Sequence, residues 1–210
     1  MTTAPSLRER KKQRTRQALI DAALDLFAAH GFGGVTLDEV CAEVEVSKRT
    51  FFRYFTGKEA VAMAPLEDMW RAFLDELETC PADGRPLLGL LESVLVTALD
   101  RVADETWACR ALTSYRLLQA TPSMDAHGLH FCDETIRAVL DVLHRRLDLP
   151  DDARPRLAGD MLVSAWRYAL DGWARAAADP PSVADLAARF RAAMAALPGT
   201  LTLTAAPRPE

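Results

Sequence analysis

Apolar residues recur every three or four positions along almost the whole chain, the spacing of helices with one buried face. Between Thr15 and Ala29, residues Ala18, Leu19, Ala22, Ala23, Leu26 and Phe27 keep that rhythm, and His30-Gly31 puts a glycine just past the last turn. After the loop FGGV, Thr36-Leu-Asp-Glu39 reads as a capping box, Thr36 accepting from the backbone of residue 39 while Glu39 reaches back. The helix it opens runs to Val44. Glu45-Val46-Ser47 is a short turn, Ser47 caps a third helix through Tyr54, and Thr56 with Glu59 repeats the capping pattern to open a fourth through Glu78.

CPADGRP at 80–86 interrupts the pattern, which resumes at 87–102, 105–119, 123–147, 153–178 and 182–197, with Pro122, Pro150 and Pro180-Pro181 as punctuation. Ser182-Val-Ala-Asp185 is a further cap. The tail PGTLTLTAAPRPE has no apolar face and is expected to be disordered. Apart from LTLT in that tail, no stretch alternates as a strand does, so the chain is expected to be all-α.

Composition changes this picture little, and charge changes it more. With 210 residues, 50% apolar and 26% charged, the chain has ordinary globular composition. It contains no apolar run of ~18 residues or more. The start, MTTAPSLRERKKQRTR, has cations without an apolar segment after them, so a cytoplasmic location is expected. Cys41, Cys80, Cys109 and Cys132 form no CxxC pair and read as free thiols. Residues 7–58 hold ten Lys and Arg against seven Asp and Glu, a net of +3. Residues 59–210 hold fifteen Arg against twenty-three acids, a net of −8, and all four lysines lie in the first 58 residues. That asymmetry suggests an amino-terminal piece that meets a polyanion and an acidic body that does not.

The segment VSKRTFFRYFTGKEA at 46–60 sharpens the suggestion, with four aromatic rings and four cations in one short stretch. On a helix over 47–55, Phe51 and Phe55 share the face that buries against Val40, Val44 and Val46. Lys48, Arg49, Thr50, Phe52 and Tyr54 are left on the other face, with Arg53 near the end. Two short helices joined by such a turn form a helix-turn-helix, whose second helix enters the major groove. Cations neutralise phosphate, capped amino termini and hydroxyls donate to its oxygens, and Lys or Arg reads guanine edges.

From Thr15 to Ala60 the sequence also resembles the DNA-binding domain of the TetR family of bacterial transcriptional regulators. The resemblance rests on the apolar first helix ending in HGF, Thr36, VS before the third helix, Thr50-Phe-Phe-Arg-Tyr-Phe55 within it, and Lys58-Glu59 opening the fourth. The family usually has Gly where this chain has Glu45, a departure expected to strain the turn if the position needs positive φ. The resemblance implies phosphate contacts from Thr36, Tyr54 and Lys58, with Lys48, Arg49 and Thr50 facing base edges and nearby backbone; Ser47 and Arg53 complete the expected DNA-binding set. Phe52 stands where the family often has Tyr, so contact with sugar or a thymine methyl would replace a hydroxyl's bond to phosphate. The expected organisation is a basic arm at 1–14, a helix-turn-helix domain at 15–58, a larger helical ligand-binding and dimerisation domain at 59–197, and a tail at 198–210. The arm could reach the DNA backbone or minor groove.

For the larger domain the resemblance is architectural, and its residues support it separately. Helix 153–178 has one stripe of Leu157, Met161, Ser164, Tyr168 and Gly172, and a second of Leu162, Ala165, Trp166, Ala169 and Trp173. Helix 182–197 pairs a large-residue stripe (Val183, Leu186, Phe190, Met194, Leu197) with a smooth one (Ala184, Ala188, Ala192, Ala195). Helices apolar on two faces need two covers, and a homodimer seam supplies the second. A pocket for a mainly apolar effector is expected among Trp70, Phe73, Trp107, Tyr115, Met124, His127, Phe131, Met161 and Trp166. His127-Gly-Leu-His130-Phe-Cys132-Asp133 has no zinc spacing, and neither metal nor cofactor is expected. No GxSxG, Walker A, HExxH or dinucleotide fingerprint points to an enzyme. The expected function is a repressor that binds operator DNA as a homodimer and is released by a small molecule. The competing readings are a helical ligand-binding protein and a redox-responsive regulator using Cys109 or Cys132.

Overall fold

The computed structural model describes residues 6–176 and 180–205. Among them the secondary structure is helical: α1 Leu7–His30, a single 3-10 turn Phe32–Gly34, α2 Leu37–Glu43, α3 Lys48–Phe51, α4 Lys58–Thr79, α5 Leu87–Val102, α6 Glu105–Ala120, α7 Pro122–Arg146, α8 Ala153–Ala176 and α9 Val183–Thr200. No strand occurs among the described residues.

Two boundaries differ from the sequence reading. Residues 7–14, expected as a loose arm, are the first two turns of α1. Ser6 starts the helix: its Oγ accepts from the Glu9 N–H at 3.2 Å, and the Glu9 carboxylate accepts from the Ser6 N–H at 2.9 Å. Those bonds, backbone N–H first and hydroxyl second, hold the Glu9 carboxyl below its usual range. At the other end, α9 continues through Pro198 to Thr200, whose hydroxyl donates to the Leu197 carbonyl at 2.7 Å. Residues 198–200 of the tail expected to be disordered are therefore helical, and its last five residues, 206–210, lie outside the described residues, as do 177 and 178 of the eighth helix.

The chain divides into two compact units, Met1–Trp70 with Thr106–Phe131, and Arg71–Glu105 with Cys132–Glu210. The division runs through α4 and α7. Side-chain bonds within the first unit explain why. Arg16 of α1 makes a bidentate pair with Asp68 of α4 at 2.6 and 2.8 Å and lies over the Phe55 ring at 5.3 Å. Arg110 of α6 reaches Asp21 of α1 at 2.9 Å, and Gln17 holds the same carboxylate. Proline at 65 interrupts the ladder inside α4, and the Trp107 indole N–H donates to its carbonyl at 3.0 Å. The unit's core is Leu19, Ile20, Ala23, Leu24 and Phe27 of α1 against Val40, Phe51 and Phe55, all buried.

In the second unit α8 packs on α9 and both pack on α5. Leu162, Trp166 and Trp173 of α8 and Leu186, Phe190 and Met194 of α9 are buried, with Trp166 edge-on to Phe190 at 5.8 Å. Gly159 lets α7 approach, since a Cβ there would stand 3.2 Å from Ile136 Cδ1. Carbonyls that the end of α4 leaves without helical partners are met by arginines: Arg146 donates to Leu77 O and, at 2.7 Å, to Cys80 O.

Candidate nucleic-acid interface

The helix-turn-helix is built by three consecutive local caps. Thr36 opens α2 with its Oγ1 accepting from the Glu39 N–H at 3.3 Å, while the Glu39 carboxylate accepts from the Thr36 N–H at 2.7 Å and hydroxyl at 2.8 Å. These bonds lower the Glu39 carboxyl from its ordinary value. They also aim the Thr36 hydroxyl proton at Glu39, so capping competes with the phosphate contact expected of this residue.

Glu45 then closes α2 with φ +54°. Its N–H donates to Ala42 O at 3.1 Å and the next N–H, of Val46, to Cys41 O at 2.9 Å, the paired bonds of a Schellman cap. That motif places its left-handed residue at position 45, which is why glycine suits the position and why Glu is strained there, at a cost of about 1 kcal/mol. Glu45→Gly should raise the unfolding free energy by roughly that amount, read as a higher urea midpoint at an unchanged slope. A lower midpoint would show that the Glu45 side chain supplies stability no contact here explains.

Ser47 starts α3, its Oγ accepting from the Thr50 N–H at 3.2 Å and lying 3.1 Å from the Thr50 hydroxyl. The α-helix here is shorter than the expected 47–54. After Phe51 the bonds tighten to three-residue spacing, with Arg53 N donating to Thr50 O and Tyr54 N to Phe51 O, before Phe55 N returns to Phe51 O at 3.1 Å. This tightening keeps both core rings inward: Phe51 is fully buried, Phe55 nearly so, and they lie 5.6 Å apart.

Lys48, Arg49, Phe52 and Arg53 are exposed, Phe52 at 54%, and Thr50 and Tyr54 are half-buried. Lys48 pairs with Asp38 of α2 at 2.9 Å, a surface contact worth little and readily exchanged for phosphate or a base edge. Arg53 lies 6.0 Å from the Tyr54 ring. The cations of α3 thus share one open side, with the core rings on the other.

Lys58 does not join them. Its ammonium donates to Phe32 O and Val35 O, each at 2.5 Å, and sits 4.7 Å from the Phe32 ring centroid. It pins the loop between α1 and α2 onto the start of α4. Nothing in the local sequence marks it as a staple, because its partners are backbone carbonyls more than twenty residues away.

Residues 19–64 match the profile of bacterial regulatory proteins of the tetR family. Over a much longer stretch, 174 residues are 35% identical to the HTH-type transcriptional regulator TcmR of Streptomyces glaucescens, covering 80% of this chain and 77% of that one. The chain belongs to the TetR family. Two solved structures share the fold of this TetR-family protein. Thermus thermophilus FadR, described as a transcriptional repressor in complex with lauroyl-CoA, is 22% identical with TM-score 0.51, covering 93% of this chain and 99% of that one. SmeT, described as the repressor of the Stenotrophomonas maltophilia multidrug efflux pump SmeDEF, is 22% identical with TM-score 0.53, covering 87% and 88%.

The residues expected to line an effector pocket divide between the units of this TetR-family protein. Trp70, Trp107, Tyr115, Met124, His127 and Phe131 fall in the first, and Phe73, Met161 and Trp166 in the second. Within the first, Met124 is fully buried, and His127 Nε2 stands 2.9 Å from the buried Glu67 carboxylate. In the second, Phe73 and Trp166 are buried and Met161 is half-buried. The thiols offer no reactive thiolate at Cys132, where burial pushes the pKa up despite Arg167. Cys109 is exposed.

Proposed function

We propose that this TetR-family protein is a cytoplasmic, homodimeric repressor that reads an inverted-repeat operator with Ser47, Lys48, Arg49, Thr50 and Phe52 and is released by a small, mainly apolar molecule. The observation that carries the reading is the α3 turn, which offers two cations and an exposed aromatic ring while Phe51 and Phe55 anchor it from behind. Lys48 and Arg49 suit guanine edges, and Phe52 suits a thymine methyl.

One such turn spans too few base pairs for specificity, so two copies related by a two-fold must act together. The dimer surface is assigned to α8 and α9. Leu157 and Tyr168 are 51% and 70% exposed on one stripe of α8, and Ala184, Ala188, Ala192 and Ala195 are exposed on α9. Residues 15–58 serve DNA and 59–197 serve effector and dimer. FadR and SmeT are each described as a repressor, and FadR is in complex with lauroyl-CoA, which supports repression and a small-molecule effector; release from DNA by that effector is proposed. A coupling of ~1–3 kcal/mol between effector and operator would lower DNA affinity roughly 5- to 150-fold.

Selection from a random-sequence duplex library tests the reading directly. The expected product is a duplex with two related half-sites, about one helical turn between centres, bound by two protomers. A protein that enriches no sequence, or binds the selected duplex as a single protomer, is not this regulator.

A further inference from the structure

We propose that the first two turns of α1 form a phosphate clamp, gripping one strand of duplex DNA in a cationic groove shared with the end of the reading turn. The proposal deepens the DNA-binding reading above and rests on it.

The groove has a volume of about 730 Å³. One wall is the α1 face carrying Arg8, Lys11, Lys12 and Thr15, and the other is Val46, Thr50, Arg53 and Tyr54. Positions 8, 11, 12 and 15 are a single helical face, so their alignment follows from residues 7–14 being helix and would be lost in a loose arm. Ser6 and Glu9 hold that helix closed at its start.

Charge and placement identify the occupant. Four cations line the groove against one carboxylate, Glu9, which is turned to Ser6. Residues 8–16 hold six cations and one acid, whereas a helix face that is merely solvated interleaves both signs. Among the described residues, Arg8, Lys11, Lys12 and Arg53 stand in no ion pair, while Arg16 further along α1 is committed to Asp68. Such a line of unpaired cations complements a polyanion. The groove is continuous with the reading turn through Thr50 and Arg53, so the same duplex reaches both. Arg8 to Thr15 spans about 10 Å of helix, and a DNA strand presents one phosphate per ~3.4 Å of axis. Two or three phosphates therefore fit along it. Because phosphate contacts carry no sequence information, the clamp adds affinity and register but no base preference.

The test is the salt dependence of binding to a random-sequence duplex of about three helical turns, roughly 30 base pairs, followed by fluorescence anisotropy. Each phosphate contact contributes about 0.9 to the slope of log affinity against log salt, so Arg8→Gln/Lys11→Gln/Lys12→Gln should flatten the slope by roughly 2 to 3 per protomer. The ratio of affinities for a selected and a random duplex should stay unchanged. Arg10→Gln/Arg14→Gln, at positions that line an adjoining groove which shares Lys11, Thr15 and Val46 but includes none of Arg8, Lys12 and Arg53, is the control and should leave the slope nearly as it was. Should the triple variant lose helicity by circular dichroism, Lys12→Gln alone gives the same reading, with an expected loss of about 0.9. A wild-type slope in the groove variants overturns the clamp, and so does an equal loss from the control, which would reduce the effect to diffuse charge. Failure of the wild type to enrich any sequence sinks the operator reading instead. The slope on random duplex remains measurable in that case, so the two failures are distinguishable.

Discussion

The double variant Lys48→Ala/Arg49→Ala is expected to fold normally and to lose roughly 2–6 kcal/mol of discrimination for a selected operator per protomer, about 1–3 for each side chain. Since about 1.4 kcal/mol is a factor of ten, specific affinity should fall at least some thirtyfold, with binding to random duplex reduced far less. Stability should hardly move. Both side chains are exposed, and the only ion pair lost among the described residues, Lys48 with Asp38, joins groups 52% and 72% exposed. Anisotropy titrations on the selected and a scrambled duplex, with thermal unfolding alongside, separate these quantities. Equal operator affinity in variant and wild type would take α3 off the reading surface. A parallel loss on both duplexes would instead assign Lys48 and Arg49 to phosphate.

A comparably large effect is expected far from α3. Leu157→Glu/Tyr168→Glu puts two charges on the exposed stripe of α8, where both native side chains are more than half exposed in the single chain. A two-fold interface brings each new carboxylate near the copy of the same patch on the other subunit. Juxtaposed like charges across a desolvated seam cost several kcal/mol, so the protein should elute as a monomer in size-exclusion chromatography with light scattering. Operator binding should vanish at concentrations where the wild type saturates, although α3 is untouched. Helicity should be preserved, because Leu162, Trp166 and Trp173 face the core from the opposite stripe. A variant that remains dimeric and binds DNA would move the dimer surface elsewhere.

Much of this was legible along the chain because it is local. Helix periodicity, the capping box at Thr36, the cap at Ser47, and the split of Phe51 and Phe55 from Lys48 and Arg49 depend on neighbours within one or two turns. Ser6-Leu-Arg-Glu9 carries the same capping pattern as Thr36-Leu-Asp-Glu39, a local signal for a helix start at residue 7 that outweighs the polar composition of residues 8–14. The strain at Glu45 was likewise readable once position 45 was seen to close a helix. The two α8 stripes were visible as a pattern too, but the pattern alone does not say which stripe the chain covers with its own residues.

What required the tertiary structure were contacts between residues distant in sequence. Two backbone carbonyls and an aromatic ring from the α1–α2 connection lie around the Lys58 ammonium, partners that the spacing of residues near 58 does not reveal. Arg16 and Arg110 tie α1 to α4 and α6, which draws the first compact unit past residue 58. The cationic groove exists only because α1 passes beside Thr50, Arg53 and Tyr54. Residue spacing sets which side chains share a helix face, since that follows from 3.6 residues per turn. Which of those faces meet, and which cations find a carboxylate on the way, is settled by the packing of whole helices against one another.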